Sequence, residues 1–124
     1  MRWLLHGQIT PAVAEALRRR GDVAQSPEEL NIPAGADAAE VLQAARAKQL
    51  DIITADPKLA SAPYDQAIKF NRSIVFLQLP GGDVEQDDAL DRLFARYKRL
   101  TPGRLYTVTE SRVKVRQLPR ELNH

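Results

Sequence analysis

A chain of 124 residues, 44% hydrophobic and 27% charged, has room for one packed domain and is too apolar for disorder. It contains no cysteine, which excludes disulfides, thiolate metal centres and cysteine nucleophiles together. A net charge of +2 does not by itself call for a nucleic-acid partner, no run approaches the ~20 apolar residues of a membrane span, and the amino terminus does not read as a signal peptide, so a cytoplasmic protein is expected.

Arg2 to His6 reads as a short strand. Thr10-Pro11 then supplies an N-cap and a proline at the first helical position. Val13, Ala16 and Leu17 share a face of the helix that follows, Arg18 to Arg20 close it, and Gly21 is its stop. Asp22 to Gln25 is a candidate second strand. Ser26-Pro27-Glu28-Glu29 is a capping box and predicts one or two helical turns, before a loop from Asn31 to Gly35. Asp37, with Glu40 three residues on, opens the next helix, whose Val41, Leu42, Ala45 and Lys48 fall on one side.

Asp51 to Ala55 is the third strand and Pro57 to Ala60 a short helix; Ala62 to Arg72 fits a turn and another short helix. Ser73 to Leu79 is the most apolar strand, closed by Pro80-Gly81-Gly82. A long helix follows, with Leu90, Leu93, Phe94, Tyr97 and Leu100 at helical spacing, ended by Thr101-Pro102-Gly103. Leu105 to Thr109 and Arg112 to Arg116 then alternate every second residue around Glu110-Ser111, which reads as a β-hairpin. Strands alternating with helices predict right-handed βαβ units. The fold class is α/β, with a mainly parallel sheet and a C-terminal hairpin, in one domain spanning residues 1–124.

Charge is unevenly placed. Residues 83–91 hold five acids and no base, and residues 92–99 four bases and no acid, the polarity that one helix's macrodipole favours. From Thr101 to His124 there are five bases (Arg104, Arg112, Lys114, Arg116, Arg120) against Glu110 and Glu121, a net +3. Arg112, Lys114 and Arg116 point to one face of their strand. They are either a phosphate-contacting stripe or a solvated outer face.

Three side chains carry candidate chemistry. Asp56 follows the third strand, where open α/β sheets place their sites, and is either a ligand for Mg²⁺ or Mn²⁺ or the N-cap of a helix beginning at Pro57. Asp37 offers the same two readings, and Glu40 reads as its partner in the capping box. His6, at the end of the first strand, is a metal ligand, a base, or a partly buried polar residue. Thr54, Trp3 and Tyr97 read as packing, and the terminal His124 as an unstructured end. No Gly-rich phosphate loop, Ser-His-Asp order or metalloprotease motif is present.

Leu4-Leu5-His6-Gly7-Gln8-Ile9, then Pro11-x-x-Ala14-x-Ala16-Leu17-Arg18-x-x-Gly21, then Gly35-Ala36-Asp37, then Ile53-Thr54-Ala55-Asp56, in that order, resemble the PIN-like proteins of the DUF5615 group. These are related to the Mut7-C ribonuclease domain and to toxins of toxin–antitoxin pairs. The ending from Gly103 to Pro119 resembles that group too, so the likeness covers nearly the whole chain. It implies a three-layer α/β/α PIN-like domain and, in active relatives, metal-dependent RNA cleavage.

Asp37 and Asp56 match acidic positions of that pattern. His6 and Gly7 stand where the pattern has an acid and usually a second, and Lys58 stands where it tends to have a further Asp. The resemblance therefore implies a toxin–antitoxin-type ribonuclease with a depleted acidic site. Asp56 and Asp37 would hold Mg²⁺ or Mn²⁺, and His6 would complete the site or position water. RNA, an antitoxin or other protein, and a second copy of the chain are the expected partners. The other readings are a non-catalytic module binding RNA or protein through its basic hairpin, and a phosphoryl-accepting receiver domain. The receiver is disfavoured because the first strand lacks the acidic pair its Mg²⁺ needs.

Overall fold

The computed structural model describes residues 1–80 and 82–119. Gly81 of the Pro80-Gly81-Gly82 stop, Arg120 and Glu121 of the C-terminal charge count, and His124 lie outside the described residues. Six strands form one sheet: β1 (Arg2–His6), β2 (Val23–Gln25), β3 (Asp51–Thr54), β4 (Ile74–Leu77), β5 (Arg104–Val108) and β6 (Val113–Gln117). Their order is β2-β1-β3-β4-β5-β6, parallel throughout except for the antiparallel β5–β6 hairpin. Four helices cover it: α1 (Pro11–Arg19), α2 (Ala38–Ala47), α3 (Pro57–Asp65) and α4 (Asp83–Arg96). No helix of the described residues is long and apolar enough to cross a membrane.

The central strands are buried on both faces, as parallel sheets require. Alternate residues send Trp3, Ile53, Val75 and Tyr106 into a core beneath α1 and α4, and Leu4, Ile52, Ile74 and Leu105 into one beneath α2 and α3. The result is three α/β/α layers. These cores also fix the hands of the crossovers. β3-α3-β4 and β4-α4-β5 step the same way across the sheet, yet their helices lie on opposite faces, so the two connections have opposite hands. The connections through α1, α2 and α3 share one hand, and the one through α4 departs from it, against a strong preference for right-handed βαβ units.

Local chemistry accounts for most element boundaries. Both capping boxes form: Glu29 N–H donates to Ser26 Oγ at 3.3 Å, and Glu40 N–H to Asp37 Oδ1 at 2.9 Å. The first opens only a single 3₁₀ turn, Glu28–Leu30. Thr10 occupies the N-cap position of α1, but its side chain makes no capping bond. Instead Gln86, buried on α4, accepts from Thr10 N–H and donates to the Gln8 carbonyl, both at 2.9 Å.

Two helices end elsewhere than their sequence suggests. α3 runs on past Pro63 to Asp65, because the proline forfeits only the bond to the Leu59 carbonyl, two residues before the helix stops, while Leu59, Ala60, Ala62 and Pro63 are all buried. α4 stops at Arg96, so Lys98 and Arg99 lie beyond it. Leaving the helix lets the Tyr97 ring meet Tyr106 edge-on, with centroids 5.4 Å apart, and lets Leu100 drop into the core.

Candidate functional site

The chain crosses back between β1 and β3, and such a switch point opens a crevice beyond the carboxyl ends of the two strands. There β1 delivers His6, paired in register with Thr54, and β3 leads to Asp56. The loop after His6 turns at Gly7, whose φ of +74° suits glycine, and a Cβ at Gly7 would stand 3.5 Å from the Cβ of Asp56. The amino ends of α2 and α3 bring Asp37 and Lys58 to the same place. His6, Asp37, Asp56 and Lys58 thus line one cleft of about 400 Å³, together with Ser61 and Asp65. A separate cavity of about 500 Å³, lined by Phe70, Asn71, Gly103 and Leu118, opens away from them at the amino edge of β5.

Each carboxylate does structural work with one oxygen. Asp56 Oδ1 accepts from Lys58 N–H at 2.9 Å and caps α3, as Asp37 Oδ1 caps α2. Oδ2 of each remains for a ligand. Thr54, fully buried, links the strand end together: its Oγ1 accepts from Asp56 N–H at 3.0 Å and lies 2.9 Å from His6 Nδ1. The Thr54 hydroxyl can donate to Nδ1 or, through its second lone pair, accept from Nδ1–H, so either tautomer of neutral His6 keeps this bond. Burial pushes the His6 pKa below its usual value of 6.5, against the pull of the Asp56 carboxylate, so the neutral form prevails at pH 7. His6 therefore adds no positive charge to the cleft, and its Nδ1 is engaged by Thr54 Oγ1.

With His6 neutral, three acids (Asp37, Asp56, Asp65) against one base (Lys58) leave the cleft at net charge −2, a sign that favours a cation. The donor set fits an ion held by two carboxylate oxygens with water or phosphate completing its shell, and not one gripped by three or four acids. Indeed, among the described residues only Asp87, Asp88 and Asp91 on α4 bring three such donor atoms within 4.8 Å of one another, on the opposite layer. When bound, a divalent ion would polarise a phosphoryl oxygen.

The proposed basic stripe divides. Lys114 and Arg116 are exposed on β6, whereas Arg112 precedes that strand, its amide bonded to Thr109 Oγ1 at 3.2 Å. The Arg116 guanidinium lies 3.8 Å from the centroid of the Tyr64 ring. Lys58 was already suspect in the sequence for its position near Asp56. Tyr64, Ser61 and Asp65 were not, since only the helical spacing of α3, hidden by Pro63, would have put them on one wall. No protein-family profile, curated protein or solved structure matches this chain.

Proposed function

We propose that this chain is a PIN-like protein of the toxin–antitoxin type, with RNA as its substrate class and a divalent-metal site depleted to two carboxylates. The supporting observation is the convergence of His6, Asp37 and Asp56, from three separate segments, on one negatively charged cleft at the carboxyl edge of the sheet. Asp56 and Asp37 are the candidate ligands for Mg²⁺ or Mn²⁺ through Oδ2. His6, neutral and held through Nδ1 by Thr54, would complete the site or position water. An antitoxin and a homodimeric state belong to the same proposal.

The test is cleavage of a structured RNA by purified protein in Mg²⁺ or Mn²⁺, beside Asp56→Asn. Cleavage by the parent and its loss in the variant support the reading; equal background from both would sink it. A second reading, a PIN-like module that binds RNA or protein without cutting, is favoured by one observation: both carboxylates cap helices and, among the described residues, no third donor closes around them. RNA binding retained in chelator, with no cleavage under any metal, would select it.

A further inference from the structure

Because α4 crosses to the α1 side, no second helix among the described residues joins α3 over β4 and β5 on the face that carries α3. A groove of about 630 Å³ runs there between α3 and the hairpin, floored by Phe76 and Leu105, with Tyr64 on one wall and Lys114 and Arg116 on the other. It adjoins the candidate cleft, for Ser61 and Asp65 line both.

At Tyr64 the two walls of the groove meet. The Tyr64 hydroxyl donates to the Gln117 carbonyl at 3.0 Å, tying α3 to the end of β6. On the ring so held rests the Arg116 guanidinium, 3.8 Å from the centroid, in a side chain that is otherwise exposed. A guanidinium backed by an aromatic ring is a flat cationic plane with one side covered and the other open.

We propose that this plane, Arg116 backed by Tyr64, is a stacking platform for an unpaired base of single-stranded RNA that continues out of the cleft, with Lys114 meeting the phosphate beside it. Unpaired bases stack on guanidinium planes and aromatic rings, and cations along a groove follow the backbone of a single strand. A duplex keeps its bases stacked inside and has none to offer. An acidic polypeptide would use the charges but not the plane. The inference rests on the RNA reading above and adds to it which part of the surface meets the bases.

The experiment is fluorescence anisotropy of a labelled uridine decamer and of a labelled RNA hairpin duplex, in chelator, so that binding is read without cleavage. The decamer should bind more tightly than the duplex. Arg116→Lys, which keeps the charge and loses the plane, and Tyr64→Leu should each weaken decamer binding about tenfold. The slope of log affinity against log salt should flatten by about 0.7 for Lys114→Ala, which removes the phosphate contact, and stay unchanged for Arg116→Lys. Thermal melts check that the variants fold.

If Arg116→Lys binds like the parent, or the duplex binds as well as the decamer, the platform is overturned while the RNA reading stands. If neither RNA binds, both fall, and capture of a polyglutamate peptide instead would assign the groove to an acidic protein.

Discussion

Asp51 and Arg72 meet at 3.1 Å at the opposite end of β3 from Asp56. Asp51 is 1% exposed, and its second oxygen accepts from Ser73 N–H at 2.9 Å. The most buried carboxylate among the described residues is thus a structural clamp between β3 and β4, and the half-buried one at the other end is the candidate for chemistry. Asp51→Ala should lower unfolding free energy by about 3 kcal/mol, since a guanidinium and a buried amide both lose their partner. Urea denaturation checks this: the midpoint should fall with an unchanged slope.

The stop signals of the helices offer a test with the opposite sign. Gly21, Asn31, Gln49 and Ala67 all sit just past a helix or turn at φ between 52° and 88°. In each case the next residue's amide reaches back five residues, as Asp22 does to Leu17 and Ile68 to Pro63. Ala67 carries a Cβ where glycine is at ease. Ala67→Gly should stabilise by about 1 kcal/mol, or about 4 °C in Tm, by calorimetry. Gly21→Ala should cost about the same from conformation alone, because a Cβ there meets nothing within 4 Å.

The His6 pKa gives a pH dependence. Burial holds it below 6.5 in the folded chain, so the unfolded chain takes up the proton first on acidification. The stabilisation is complete above pH 6.5 and is lost as the pH falls from there towards the folded value. His6→Gln should flatten that limb of a Tm-versus-pH profile. Asp56→Asn, by removing the influence that raises the His6 pKa, should lower it further in an NMR titration. A rise would contradict the assignment.

Adding acids to the cleft should strengthen metal binding. His6→Asp with Lys58→Asp replaces a neutral imidazole and a cation by two carboxylates, and Mg²⁺ affinity should rise at least about tenfold, or 1.4 kcal/mol, by titration calorimetry. An unchanged affinity would mean that Asp37 and Asp56 do not belong to a degraded metal centre.

Gln86 fixes the loop that follows His6, and Gln86→Leu removes both of its bonds while keeping the bulk. Stability should drop by about 1 kcal/mol, from the part-buried bonds to the Thr10 amide and the Gln8 carbonyl that are lost. Hydrogen exchange at Thr10 should quicken more than exchange in β4.

What the sequence disclosed and what it hid divide by range. Asp37 with Glu40, Ser26 with Glu29, and the hairpin are signals carried within three or four residues, and all are realised. The strand-to-helix alternation likewise sufficed for the mainly parallel α/β sheet. Asp51 gave no sign of its burial, because its partners arrive 21 and 22 residues later. The contact of His6 with Thr54 spans 48 residues and follows only once β1 and β3 are in register. Pro63 concealed the wall that carries Tyr64, and no local pattern encodes the hand of a crossover.

Trp3, the sole tryptophan, is fully buried, and its indole N–H donates to Asp22 Oδ2 at 3.0 Å. It lies in the layer of α1 and α4, while the cleft and the Arg116 groove open on the side of α2 and α3. To tryptophan emission the molecule has one lit half and one dark half. Tryptophan emission will follow the melting of the α1 and α4 layer, and a ligand in the groove will leave it almost silent, so occupancy has to be read from the ligand's own label.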